Sequence, residues 1–364
     1  MAADVQGGLV ARLLAAVLIF GCLEGAIFHS GLYARIIEPD STTGRMELQL
    51  QNEIRRPKPN RNQVLAVGHS RQALLPRIAN QMQPSTGYTF ASIGIGGATP
   101  RDWYYELRAV DPHAHNYAAI VIPEDDYNEP DSWEDQSDRE SDLHYLIARL
   151  RLRDLREFPW TYKKADRRWA AFEGILLKGT VYKRDFQEFL DHPLARIEKA
   201  GFYRRESAGW YYDYGGDART LAGMEIDWAH KTARFPPNVS EADQKRISDE
   251  LFSEQPPDQG REVAYRLFWY RKMLDFYRGS GTKLVYLRVP RAPVSPPDVP
   301  PKLNSAVRQI AREPDVIVLD EHLLDSLERP ELLWDSMHLN REGQIRFTEI
   351  VAGEVRKALG PPKP

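Results

Sequence analysis

The run Tyr117-Ala-Ala-Ile-Val-Ile122 constrains the fold of this chain more than any other segment. It has the length of a strand and is apolar on both faces. Such a strand has to be covered on both sides, as parallel strands between helical layers are. Four more runs of strand length accompany it: Gln63–Val67, Tyr88–Ile93, Lys283–Val289 and Val316–Asp320. Helical spacing fills the gaps over Arg71–Gln83, Arg101–Val110, Leu303–Arg312 and Glu342–Leu359. The expected fold class is α/β, with five parallel strands and intervening helices in a doubly wound sheet. A length of 364 residues allows about two domains, or one domain with an insertion. With 42% hydrophobic residues, 17 Tyr, 13 Phe and 8 Trp, a real core is expected rather than disorder.

The strand–helix rhythm stops between Glu124 and about Tyr277. This stretch is charged, aromatic and mostly helical in flavour, and it predicts a helical insertion or cap over 127–280. It holds the basic pairs Lys163-Lys164, Arg167-Arg168 and Arg204-Arg205, and the aromatic cluster Trp210-Tyr211-Tyr212 with Tyr214. Two readings stand: a solvated helical face, or a cap whose rings stack on sugars. Residues 35–62 are polar, with Pro57 and Pro59 near the end, and read as a linker or a peripheral helix. A Pro-rich loop follows the fourth strand.

Leu9–Tyr33 is the one strongly apolar stretch, and it approaches the roughly 20 residues a membrane-spanning helix needs. We read residues 1–34 as a retained signal anchor. A cleaved signal peptide fits less well, because Arg12 is the only basic residue in the flank and no clear A-x-A site follows. A lipoprotein signal at Cys22 would place bulky Phe20 where a small residue is usual. Glu24 counts against deep insertion, since a mid-membrane carboxylate costs a few kcal/mol. The expected location is the inner membrane as a single-pass protein, with the following domain extracytoplasmic (periplasmic).

The charge balance narrows the function. With 49 Lys+Arg against 52 Asp+Glu, no basic excess supports a nucleic-acid partner. One Cys excludes an internal disulfide framework and a Cys-based zinc site. There is no H-E-x-x-H or P-loop pattern, the nine His are scattered, and no cofactor or metal is expected. Asp125-Asp126 could ligate a hard cation, but a solvated loop is the simpler reading.

Three segments carry the chemistry. Gly68-His69-Ser70-Arg71 follows the first strand, at the carboxyl edge where open α/β sheets bind ligands. Ser70 is expected where the strand becomes a helix, whose N-terminal N–H groups could hold an oxyanion; the plain alternative is an N-cap Ser. Asp335-Ser-Met-His338-Leu-Asn precedes the last helix. An imidazole can take the proton of a Ser hydroxyl while a carboxylate orients the ring. The plain alternative is a surface loop with a capping Asp. Gly94-Ile-Gly96-Gly97-Ala-Thr99-Pro100 follows the second strand; its glycines let backbone N–H groups come close to a substrate, and its spacing is not a dinucleotide fingerprint.

Taken in order, these three motifs resemble the SGNH (GDSL-like) hydrolase superfamily over about 63–126 and 283–359. The resemblance implies a three-layer αβα flavodoxin-like fold. It also implies a Ser–His–Asp centre with Ser70 as nucleophile, His338 as base and Asp335 as its orienting acid. Ser70 and Gly97 would supply oxyanion-hole N–H groups. Two departures stand out. Gly-Asp-Ser reads Gly-His69-Ser here. The Gly-x-Asn-Asp block after the third strand reads Pro123-Glu124-Asp125-Asp126, so the Asn donor is missing unless Asn128 replaces it. An anchored chain with a long insert and a Gly-x-Ser-Arg start is similar to the SGNH-like partners of membrane-bound O-acyltransferases. That implies a carbohydrate or acyl-ester substrate and an O-acetyltransferase or acetylesterase acting on a polysaccharide or wall glycan. The alternative is a non-catalytic polysaccharide-binding or scaffold partner of such an acyltransferase.

Overall fold

The computed structural model describes residues 2–58, 61–82, 87–124, 140–207, 220–252, 261–290, 292–294 and 305–362. The chain runs through α1 (Ala2–Glu24), α2 (Thr42–Arg55), β1 (Gln63–Ala66), α3 (Pro76–Gln81), β2 (Thr89–Ser92), α4 (Pro100–Val110) and β3 (Ala119–Glu124). Then come α5 (Glu140–Leu146), α6 (Ala165–Leu176), α7 (Lys178–Val181), α8 (Lys183–Asp191) and α9 (Pro193–Glu206). The remainder is β4 (Glu225–Asp227), β5 (Thr232–Arg234), α10 (Glu241–Phe252), α11 (Arg261–Tyr277), β6 (Lys283–Arg288), α12 (Ser305–Ile310), β7 (Val316–Val318) and α13 (Arg341–Leu359).

These elements form two compact units, residues 1–48 with 137–208 and residues 49–136 with 209–364. The larger unit is built on a five-stranded sheet of order β2-β1-β3-β6-β7. All four pairings are parallel. The chain winds one way from β1 to β2 and the other way from β3 onward, so the switch point lies between β1 and β3. Alternation along the strands fills both faces. Val64, Ala66, Val121, Val285 and Leu287 join a core with Phe347, Val351 and Val355 of α13. The opposite face presents Tyr286, whose ring meets Tyr270 of α11 at 5.2 Å. The expected α/β class with a parallel five-stranded sheet is what the chain forms.

Three expectations change. The helix expected over Arg71–Gln83 covers only Pro76–Gln81. Pro76 presets the φ of the first helical turn, and Leu75 before it is extended. The stretch from Glu124 to Tyr277 is not one insertion. Residues 140–207 form a unit with the N-terminal 48 residues, because Phe28 and Tyr33 pack their rings against Tyr182 and Phe186. Leu221, Met224, Val239 and Ile247 instead join the sheet core, and β4 and β5 pair antiparallel. The expected linker contains α2, which is the peripheral-helix reading of that stretch.

Candidate functional site

Gly68 ends the first strand with a φ of +155°, and a Cβ there would lie 2.6 Å from Pro123 Cγ and 2.7 Å from Gln72 Cβ. Only glycine fits that backbone in that space. A turn follows, with the Gln72 N–H donating to the His69 carbonyl at 3.0 Å. Ser70 therefore sits in a turn six positions ahead of the first residue of α3, not at that helix's N-terminus as expected. The Gln72 side chain pins the turn: its amide donates to Ser92 Oγ at 2.9 Å and its oxygen accepts from the Leu74 N–H at 3.0 Å.

The Asp335–His338 loop is held at its base. Leu333 and Leu339 form an antiparallel bridge, and the Trp334 N–H donates to the His338 carbonyl at 2.8 Å. Asn340 then caps α13, its side chain accepting the Gly343 N–H at 3.0 Å. A Cβ at Gly343 would strike the Leu332 carbonyl, so glycine is needed where the helix leaves the loop.

The two segments meet although 268 positions separate them. His338 Nε2 lies 2.8 Å from Ser70 Oγ. His338 Nδ1 lies 2.9 and 3.0 Å from the two oxygens of Asp335. An ionised carboxylate only accepts, so Nδ1 carries the proton and Nε2 is left to accept the Ser70 hydroxyl. Asp335 is fully buried and also accepts the backbone N–H groups of Met337 at 3.0 Å and His338 at 2.8 Å.

The electrostatics suit a neutral base. Burial pushes the His338 imidazole below its ordinary range; contact with Asp335 opposes this, and the nearby charges of Arg71 and His69 reinforce it. Burial pulls the Asp335 carboxyl up, but the hydrogen bond and charge of His338 and the two backbone donors outweigh that and hold it low. At neutral pH the ring is therefore uncharged and the carboxylate ionised.

The glycine turn after β2 lies beside this centre. The Ile95 N–H donates to the Gly68 carbonyl at 3.3 Å, and Gly97 has a φ of +78°. Thr99 closes the turn by capping α4 through a capping box with Asp102. The block after β3 behaves differently. Glu124 is buried, 3.0 Å from Arg266, and accepts the Tyr270 hydroxyl. Its carboxylate can only accept, so it is no oxyanion donor. Asn128, Asp125 and Asp126 lie outside the described residues, as do Trp210, Tyr211, Tyr212 and Tyr214.

Two side chains near the triad escaped the sequence reading. Arg246 of α10 lies 3.6 Å from Asp335 and 3.1 Å from Glu250, which accepts the Ser336 hydroxyl. Their spacing of four is that of an ordinary pair along one helix face. Nothing in the sequence marks the loop 86 residues on from Glu250 as its neighbour. Among the described residues, no group of three or more His, Cys, Asp or Glu is placed to hold a metal ion. No family model matches the chain, and no curated protein matches it.

Proposed function

We propose that this chain is a membrane-anchored, SGNH-type acyl-ester enzyme working on the extracytoplasmic face of the inner membrane. One observation carries the reading: Ser70, His338 and Asp335 form a continuous hydrogen-bonded chain at the carboxyl edge of a parallel sheet. The strand order, which runs 2-1-3-4-5 when the five sheet strands are counted along the chain, supports the flavodoxin-like SGNH architecture. The apolar N-terminal helix, long enough to cross a membrane, supports the anchor.

In this mechanism Ser70 Oγ attacks the acyl carbonyl and its proton passes to His338 Nε2. Asp335 stabilises the imidazolium. The imidazolium gives its proton to the departing alkoxide or thiolate, leaving an acyl-Ser70 ester. A sugar hydroxyl or water then attacks that ester, His338 takes its proton, and Ser70 leaves with the proton restored. The N–H groups of Ser70 and Gly97 serve the oxyanion. The acyl group is acetyl and the acceptor a polysaccharide or wall glycan, delivered in partnership with a membrane-bound O-acyltransferase.

Turnover of an aryl acetate by wild type and Ser70→Ala tests the triad, together with labelling by a serine-reactive fluorophosphonate. Loss of both in the variant supports it; wild-type turnover in the variant overturns it. Transfer of acetyl to an oligosaccharide supports the transferase, and release of free acetate alone the esterase. A second reading, a non-catalytic glycan-binding scaffold, is favoured by Asp125 standing in the sequence where the family has its Asn donor. Glycan binding with neither turnover nor labelling would establish it.

A further inference from the structure

The smaller unit carries a surface that the proposed chemistry does not use. Along α1 the side chains of Leu13, Val17, Leu18 and Phe20 are 56–68% exposed. This changes abruptly at Glu24, which is 7% exposed and accepts the Gly179 N–H at 3.0 Å. Phe28 beyond it packs at 5.7 Å from Tyr182 and 5.4 Å from Phe186. His29 Nε2 is 3.1 Å from the Leu176 carbonyl. The exposed apolar surface thus stops at Glu24, and from there the chain packs against the smaller unit.

Leu176 is the last residue of α6, and α6 has two faces. Ala171, Gly174 and Ile175 are buried inside the unit. Trp169, Phe172 and Leu176, at i, i+3 and i+7, form an outward stripe and are 66%, 37% and 44% exposed. The rings of Trp169 and Phe172 stack at 5.7 Å. Trp160 beside them is 66% exposed, with the Arg168 guanidinium 5.9 Å over its ring. Lys163 and Lys164, both exposed, introduce the helix.

We propose that this stripe lies in the headgroup–acyl boundary of the bilayer that α1 crosses. Two features select lipid as its occupant. The stripe starts where the spanning helix ends, so it is continuous with a surface already committed to lipid. Its makeup, Trp and Phe with Lys163, Lys164 and Arg168 on one border and the acidic Asp166 and Glu173 on the other, matches the amphipathic belt of membrane interfaces in its rings and in its one basic edge, where rings sit at headgroup level and cations meet phosphates. The membrane therefore holds this unit at two places, a span and a helix lying in its plane.

The inference rests on α1 being a membrane span, and the test separates the two. The chain has one cysteine, so Cys22→Ser gives a clean full-length background for single nitroxide labels. Labels are placed by Leu18→Cys, Trp169→Cys, Phe172→Cys and, as a water-exposed reference on β5, Arg234→Cys. The chain is reconstituted in nanodiscs containing phosphatidylglycerol, and accessibility to oxygen is compared with accessibility to a water-soluble nickel chelate. The expected result is a deep label at 18, and an oxygen-to-nickel ratio at 169 and 172 several-fold above that at 234. If 18 is deep while 169 and 172 match 234, the stripe proposal is overturned and the span stands. If 18 also matches 234, the span itself fails. Dipolar broadening at 169 that disappears on dilution with unlabelled chain would mean the stripe meets a second copy, which also overturns it.

Discussion

The two compact units finish their surfaces in opposite ways. Among the described residues of the sheet unit, Ile54 and Phe268 are the large hydrophobics left exposed. The smaller unit exposes Trp160, Trp169, Phe172, Leu190, Leu194 and Phe202 besides the length of α1. The sheet unit hides its apolar atoms and buries its ion pairs as well, Arg266 with Glu124 at 3.0 Å and Arg288 with Glu328 at 2.7 Å. The smaller unit leaves its ion pairs partly open: Arg196, nearly buried, joins Glu38 at 3.0 Å and Asp185 at 2.8 Å, both about a fifth exposed. One unit is finished for water, and the other leaves the kind of apolar surface that marks an interaction site.

Substitutions sharpen that contrast. The largest effect belongs to the triad: Ser70→Ala lowers aryl-acetate kcat by about 10⁴-fold or more, and Asp335→Asn by about 10³-fold because the ring loses its tautomer. Steady-state kinetics reads both, and melting temperatures within a few degrees of wild type show the fold intact. Next comes Gly343→Ala, whose Cβ meets the Leu332 carbonyl. It costs about 2–3 kcal/mol in denaturant unfolding and loosens the His338 loop, so kcat falls with it.

A pH effect follows. Burial in α4 pushes the Glu106 carboxyl up to about 8. Its folded value exceeds its unfolded one, so its contribution is complete below the ordinary carboxylate range and is lost as pH rises through about 8. Glu106→Gln flattens the decline in melting temperature between about pH 4.5 and 8; an unchanged decline assigns it elsewhere. The acid limb is smaller. His338 stays neutral to below its ordinary value, so kcat/KM falls only under about pH 6.5. Arg71→Gln removes a nearby cation and moves that limb upward by a fraction of a unit. Smallest of all, Trp169→Gln changes a side chain that is two-thirds exposed and shifts solution stability by under about 0.5 kcal/mol. A larger loss would mean that the stripe packs on protein.

The sheet was legible because strands buried on both faces leave continuous apolar runs, and these five did. The triad was legible for a different reason. Asp335 and His338 stand three apart between a Leu pair and a capping Asn, and all of that spacing is local. What stayed hidden was long-range. Phe28 and Tyr33 read as part of one apolar run, and only the rings of Tyr182 and Phe186, some 150 residues on, show that this end of the run is packed in protein. The late start of α3 was legible in principle, since Pro76 marks a first helical turn, but the periodicity of Arg71–Gln83 masked it. Arg246 and Glu250 had no local signal beyond an i,i+4 pair.

The parallel sheet places a hydroxyl from its first strand against an imidazole from just before its last helix. A growing polypeptide therefore carries the nucleophile through nearly all of its synthesis without a base to activate it. Any chain stopped short of residue 338 would lack both the imidazole and the helix whose Phe347, Val351 and Val355 complete the core under the sheet, so the site and that face of the fold are completed together.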